Sequence, residues 1–269
     1  MLETRRQTLL DLIQKRGFAA LEDLVAAVGV SESTIRRDLE ALEQGGVIRR
    51  THGGAVVGAE TRELMPAFED RADTAIAEKR SIGRFAASLV QDGDTVLLDG
   101  GTTTLEVAKA LVGRTVQVVT NSLPIAQLLA PHKDTDLILI GGFVYPRTGV
   151  ALGPIAIGCL EKIRVHTLFM GAGGIMADGI YNSNLLLVET EQAMMKSAHQ
   201  VVLVADHTKF GKQALTKLCG LEKIQHLVVD EGVSPEDRRQ IENAGVLLHV
   251  APSDVKPRLV QPEEARNSQ

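Results

Sequence analysis

The segment SESTIRRDLEALEQGG, residues 31–46, reads as a short helix with its own start and stop. Ile35, Leu39 and Leu42 fall at i, i+4 and i+7 and form one apolar stripe, which turns Ser33, Arg36, Arg37 and Glu40 to the opposite face. Ser31 is placed to cap the helix, because a serine hydroxyl accepts from the free backbone N–H groups of a first turn. Gly45 and Gly46 supply the left-handed conformation that ends a helix. A capped helix with Ser, Thr and paired Arg in its first turns suits a DNA major groove, where those groups bond base edges and phosphates. The plainer alternative is a solvated helix in which Glu32 and Arg36 form an i,i+4 ion pair.

The flanking residues weigh between the two. Leu9, Leu10 or Leu12, and Ile13 lie at helical spacing within residues 3–16, and Leu21, Leu24, Val25 and Val28 repeat the pattern up to Gly29. Helix, tight turn and helix therefore precede Gly46. After it, Val47-Ile48 and Ala55-Val56-Val57 are β-prone runs around Gly53-Gly54, with Arg49, Arg50 and His52 leading into the turn. Such a hairpin forms a wing beside a helix-turn-helix, and the combination is more specific than either part because both can touch one stretch of duplex. Bulk charge does not argue for nucleic acid: residues 1–57 hold eight Lys/Arg against eight Asp/Glu, and the whole chain stands at −5. Arg36, Arg37, Arg49 and Arg50 must instead converge on one face. A non-DNA adaptor using the same helices for protein contact is a further alternative.

Composition sets the outer bounds. The chain has 269 residues, is 44% hydrophobic and 3% aromatic, and contains no Trp, so aliphatic side chains must fill its core. No apolar run reaches the length of a membrane span, and the charged start MLETRRQTLL is unlike a signal peptide. A soluble cytoplasmic protein is expected. Cys159 and Cys219 lie in apolar surroundings and read as small core residues, and the seven His are scattered, so neither a metal nor any other cofactor is expected.

Residues 58–74 mix Gly, Pro and charge without a period and read as a linker, ending domain one near Val57. Residues 75–251 alternate helical segments with Val/Ile/Leu runs at 95–99, 116–120, 136–140, 167–170, 201–205, 227–229 and 246–250. Near-continuous apolar runs between helices mark a mostly parallel sheet covered on both faces, hence an α/β domain, and 252–269 reads as a frayed tail. In such sheets ligands bind beyond the carboxyl ends of the strands. The residues found there are Asp99-Gly-Gly-Thr-Thr-Thr104, Asn121-Ser122, Gly141-Gly142, Gly171–Gly174 and Asp206–Lys209. Gly101, Thr102, Thr103 and Thr104 run into a helix whose free N–H groups can surround a phosphate, although a tight turn that merely caps the helix has the same sequence. Asn121 and Ser122 suit hydroxyls, and Lys209 suits a phosphate. Together they suggest a small phosphorylated polyol.

The segments ESTIRRDLEALEQGGVIRRTHGGAV, LLDGGTTT, VVTNSLPIA, LIGG and VADHTKFG resemble, in order and at matching spacing, the DeoR family of bacterial transcriptional regulators. The resemblance implies a winged helix-turn-helix followed by a Rossmann-like sensor domain of the ribose-5-phosphate isomerase type. It also implies a repressor of a sugar or polyol operon controlled by a phosphorylated intermediate. DNA contacts would fall on Ser33, Thr34, Arg36, Arg37 and the wing residues Arg49, Arg50 and His52. Effector contacts would fall on Asp99, Gly101, Thr102, Thr103, Thr104, Asn121, Ser122, Gly142 and Lys209. Partners would be double-stranded operator DNA, the phosphorylated effector and further copies of the chain in a dimer or tetramer, with no membrane contact.

Kinship with the isomerase raises the alternative of a sugar-phosphate isomerase, which needs a positioned base and groups to manage an oxyanion. Glu191 falls where that enzyme has its catalytic Glu. Its Asp-Gly-Ala-Asp-Glu segment, however, is replaced by Gly171-Ala172-Gly173-Gly174-Ile175, and its Lys-Gly-Gly-Gly segment by the Asn182-Ser183-Asn184 region. No catalytic residue is therefore assigned. Many family members carry a Lys-Arg pair near the positions of Glu191 and Gln192.

Overall fold

The computed structural model describes residues 2–16, 18–44, 48–51, 53–57 and 68–253. The expected helix stop at Gly45-Gly46, the wing residue His52, the Arg49 side chain, the first part of the linker (58–67) and the tail from 254 lie outside the described residues and side chains.

Three helices and a small sheet make up the N-terminal part. Helices α1 (Leu2–Arg16) and α2 (Leu21–Val28) precede α3 (Glu32–Gln44), the helix of the opening segment. Leu9, Ile13, Leu24, Ile35 and Leu39 close onto one another as a buried core, so the apolar stripe of α3 faces inward as its spacing requires. Gly29 ends α2 with φ +71°, a conformation that a side chain would strain, and sets the tight turn into α3. The Ser31 backbone carbonyl accepts from Thr34 and Ile35 N–H, but its hydroxyl lies 2.8 Å from Thr34 Oγ1 and 3.1 Å from Ser33 Oγ. The hydroxyls of the first turn thus bond one another, which differs from the backbone cap expected from sequence.

The wing is the hairpin of β2 (Ile48–Thr51) and β3 (Gly54–Val57). A third strand, β1 (Phe18–Ala20), pairs antiparallel with β3 and has no counterpart in the sequence reading. Its three residues sit directly before α2 and are too few to show a period-2 pattern. Gly54 permits the pairing, because a Cβ there would lie 2.1 Å from the Ala19 carbonyl oxygen.

The C-terminal part is built on a seven-stranded, all-parallel sheet. Its strands are β4 (Thr95–Leu98), β5 (Val116–Thr120), β6 (Thr135–Leu139), β9 (Val165–Met170), β12 (Ala198–Val204), β14 (His226–Asp230) and β15 (Leu247–Ala251), in the spatial order β15-β14-β12-β9-β4-β5-β6. From β4 the chain winds outward through β5 to β6, then returns to β9 on the other side and winds outward again to β15. The reversal lies between β4 and β9, whose carboxyl ends diverge into loops that leave a crevice. Two apolar clusters cover the sheet. One packs α5 (Ile76–Ser88) and α6 (Thr102–Leu111) on Val96, Leu98, Phe169 and Val202, and the other packs α8 (Pro154–Leu160) and α9 (Leu185–Ser197) on Leu168, Met170 and Leu203. A hairpin of β7 (Phe143–Tyr145) and β8 (Val150–Leu152), and a small antiparallel sheet of β10 (Gly174–Met176), β11 (Gly179–Asn182) and β13 (Thr216–Cys219), close off the crevice end.

The linker is not wholly without structure, contrary to its composition. Within the stretch 58–74, Phe68–Asp73 forms helix α4. Its six residues are too few to establish an amphipathic repeat, and its place comes from tertiary contact: the buried Lys79 ammonium donates to the Arg71 carbonyl oxygen and ties α4 to α5. Among the described residues no helix is long and apolar enough to cross a membrane, and no group of three or more His, Cys, Asp or Glu is placed to hold a metal ion.

Candidate functional site

A cavity of about 760 Å³ opens where the sheet reverses direction. Its wall is drawn from the carboxyl ends of three adjacent strands: Asp99–Thr103 after β4, Gly171–Gly173 after β9, and Val204, Ala205 and Lys209 at the end of β12. Arg71 of α4, Thr148, Asn182, Ser183, Leu187, Glu191 and the segment Lys212–Leu215 complete it. The chain's parallel topology alone places the strand-end loops together.

On one side α6 begins at Gly101, so the backbone N–H groups of Thr102 and Thr103 and the positive end of the helix face the space. Asp206 fixes Lys209 nearby: its carboxylate accepts from Thr208 N–H at 3.0 Å and caps the single helical turn His207–Lys209. Asp230 anchors the same turn, accepting from His207 N–H at 2.7 Å. Burial lowers the Lys209 pKa, and the Asp206 charge only partly opposes it, so the ammonium lacks the solvation it would have in water. An anion in the cavity would restore it.

The inner end is acidic. Asp99 and Glu191 are 4% and 3% exposed. Burial pushes Asp99 up to about 6, against the backbone N–H groups of Gly100 and Gly171 that favour its charged form. Burial and the facing Asp99 charge hold Glu191 well above the usual carboxylate range, although Asn182 Nδ2 donates to its Oε1 at 2.6 Å. Because the folded protein binds a proton at Asp99 more tightly than the unfolded chain does, this group's contribution to stability falls as pH rises from about 4 through about 6. Asp99→Asn should therefore gain melting temperature relative to the wild type as pH is raised across that window, and a constant difference in a pH series of thermal melts would contradict the assignment.

Of the effector residues expected from sequence, the cavity wall contains Asp99, Gly101, Thr102, Thr103 and Lys209, and it does not contain Thr104, Asn121, Ser122 or Gly142. Thr104 Oγ1 donates to the Gly101 carbonyl within the first turn of α6, and Asn121 Nδ2 donates to the Ala151 carbonyl at 3.0 Å. Ser122 caps α7 (Leu123–Leu129), its hydroxyl accepting from Ile125 N–H, and Gly142 packs against the Leu152 carbonyl of β8. The hairpin β7–β8 takes up the end of β5, which is why a strand-end rule alone misplaces these residues. Ser122→Ala should cost about 1 kcal/mol of stability through the lost cap and leave ligand affinity unchanged. Thermal melts and a ligand titration check both halves of that expectation. Sequence reasoning misses Arg71, Thr148 and Lys212 as wall residues. Arg71 falls in the apparent linker, and Lys212 follows Lys209 in a loop with no periodic signal.

The outer face of α3 carries Ser33, Arg36, Arg37 and Glu40, all exposed, with Thr34 half-buried beside them. Arg36 and Arg50 line one groove of about 390 Å³ between α3 and the wing, which brings helix and hairpin to a common surface. Acidic neighbours hold both. Arg36 Nη2 lies 2.7 Å from Glu32 Oε1, the i,i+4 pair anticipated from sequence, and Arg50 Nε lies 2.8 Å from Glu43 Oε2. The buried Asp38 on the other face of α3 binds Arg5 Nε at 2.6 Å and Arg6 Nε at 3.1 Å. Burial would raise its pKa, but those hydrogen bonds outweigh it and hold the carboxylate below its ordinary range. Arg37 has no ion-pair partner among the described residues.

A small helical domain that presents basic side chains on one helix and a wing, joined to an α/β domain with a charged crevice, defines a ligand-responsive DNA-binding regulator. A DeoR-like helix-turn-helix domain matches residues 5–61 and the DeoR C terminal sensor domain matches residues 74–231; the chain belongs to the DeoR family of transcriptional regulators and is a regulator rather than an enzyme. The lactose phosphotransferase system repressor of Staphylococcus aureus (strain N315) is 31% identical over 248 residues, covering 91% of this chain and 97% of its own. The glycerol-3-phosphate regulon repressor of Haemophilus influenzae is 33% identical over 234 residues, covering 85% and 91%. Ribose 5-phosphate isomerase A from Neisseria gonorrhoeae is a structural neighbour at 17% identity and a TM-score of 0.37, over 49% of this chain and 52% of that one.

Proposed function

We propose that this regulator represses a sugar or polyol catabolism operon, and that a phosphorylated sugar or polyol bound in the crevice changes how its winged domains fit the operator. The observation that carries this reading is the joint presence, around one cavity, of the α6 N-terminus with Thr102 and Thr103 and of the cations Arg71, Lys209 and Lys212. A phosphate answers both the N–H groups and the desolvated ammonium of Lys209, and the polar wall beyond them suits a hydroxylated carbon chain. The names of the two relatives, a phosphotransferase system repressor and a glycerol-3-phosphate regulon repressor, support the same class of signal.

Ser33, Thr34, Arg36, Arg37, Arg49, Arg50 and His52 are the proposed DNA contacts. The zero net charge of residues 1–57 leaves a single winged domain with little long-range attraction to phosphate, so operator affinity rests on joining copies in a dimer or tetramer. Paired recognition helices would then sit about one helical turn of DNA apart or a multiple of it. The effector acts by binding one arrangement of the domains better than the other, in the cytoplasm where operator and phosphorylated sugars meet.

A thermal-stability screen of sugar phosphates on the full-length protein tests the cavity. A compound that binds only the folded state stabilises it by about 2.7 kcal/mol at a hundred times its dissociation constant, and so raises the melting temperature. At least one phosphorylated sugar or polyol should do so while its unphosphorylated parent does not. A panel in which none shifts the melt, or in which parents work as well, would overturn the proposal.

A further inference from the structure

The cavity has charge of opposite sign at its two ends. Lys209 and Lys212 stand at its more accessible side and Asp99 and Glu191 are buried at its inner end, with the buried guanidinium nitrogens of Arg71 close enough to Asp99 for their charge to favour the carboxylate. The inner end is also short of donors. The Gly100 and Gly171 N–H groups bond Asp99 and Asn182 Nδ2 bonds Glu191 Oε1, which leaves Glu191 Oε2 buried in the wall with no hydrogen-bond partner. A buried carboxyl oxygen without a hydrogen-bond partner costs free energy that an incoming donor recovers, and a cationic donor also favours the ionised form that burial and the neighbouring carboxyl otherwise disfavour. A phosphorylated polyol without positive charge would satisfy the cationic side and leave Glu191 uncompensated, because the Arg71 charge acts on Asp99 and no cation among the described residues acts on Glu191. The complement of this cavity is a zwitterion.

We propose that the effector is an amino-sugar phosphate, a phosphorylated sugar with a primary amine, its phosphate toward Lys209 and the α6 N-terminus and its ammonium on Asp99 and Glu191. This rests on the crevice being a sugar-phosphate site and narrows the class that it takes. Glu191 is then a specificity-determining residue. N-acetylation, which removes the charge and adds bulk, should abolish the advantage.

Calorimetric titration of the full-length protein with matched pairs decides the question: glucosamine 6-phosphate against glucose 6-phosphate, and galactosamine 6-phosphate against galactose 6-phosphate. In at least one pair the amine should bind about tenfold tighter or better, as expected for a charge-assisted bond in place of a neutral one. The N-acetyl derivative should fall back to the level of the hydroxyl compound or below, and Glu191→Gln should shrink the ratio to about threefold or less. Less than about fivefold preference in both pairs, or a preference that survives in Glu191→Gln, overturns the proposal. The wild-type ratios need no variant, so they test the proposal even if Glu191→Gln does not fold. Sugar phosphates that bind without an amine preference would defeat this inference alone, while failure of every phosphorylated compound to bind would defeat the sugar-phosphate reading with it.

Discussion

Arg37→Ala is expected to weaken operator binding by about 1–3 kcal/mol, or about five- to a hundred-and-fiftyfold, while leaving the thermal melt of the protein unchanged. The Arg37 side chain is exposed on α3 and has no ion-pair partner among the described residues, so it reaches a base edge or phosphate without breaking a salt bridge first. Arg36 differs. Its guanidinium must leave Glu32, with both side chains more than half exposed, and a pair of that kind is worth only about 0.3–0.5 kcal/mol. Arg36→Ala should therefore cost somewhat less than Arg37→Ala, and Glu32→Gln should strengthen binding slightly. Fluorescence anisotropy with a labelled operator at several salt concentrations separates roles: loss of a phosphate contact lowers the salt slope by about one, and loss of a base contact lowers discrimination at one position. Unchanged affinity in Arg37→Ala would remove the residue from the interface.

Lys209→Ala is expected to abolish the effector response and to spare operator binding. Asp206 and Asp230 hold the turn that carries Lys209, and both remain bonded to backbone N–H groups when the side chain is shortened. The substitution therefore removes a cation without releasing the loop. A phosphate that loses a desolvated ammonium partner loses about 2–5 kcal/mol of affinity, at least about thirtyfold, which places the response beyond ordinary effector concentrations. Thr103→Val should reproduce part of the loss while keeping shape and backbone donors. A Lys209→Ala protein that responds at wild-type concentrations would exclude the cavity as the effector site.

Much of the fold is legible in the sequence because its signals are periodic or local. Ile35, Leu39 and Leu42 carry a helical stripe, Gly29 ends a helix, and the aliphatic runs ending at Leu98, Thr120, Met170 and Val204 are parallel strands. Some elements of three to six residues are not legible. β1 consists of Phe18–Ala20 and α4 of Phe68–Asp73, and long-range pairing or packing decides both. The cavity divides in the same way. Asp99, Thr102 and Thr103 follow β4 beside the sheet's reversal and Lys209 follows β12, one strand beyond it; Asn121 and Ser122 follow β5, equally one strand away on the other side, but are spent on the hairpin and a helix cap. The acidic end is half visible: Asp99 begins the Gly-Thr loop, but only the packing of α9 on the sheet brings Glu191 to it.

Coupling between crevice and operator is the point on which everything else depends, since a ligand that binds both domain arrangements equally shifts nothing. The most direct measurement is operator affinity by anisotropy, for wild type and Lys209→Ala, with and without a saturating sugar phosphate that stabilises the wild-type protein. The expected result is an effector-dependent change of about fivefold or more in wild type and none in Lys209→Ala, with equal affinities in its absence. Identical operator affinity of the wild-type protein with and without bound ligand would contradict the proposed function.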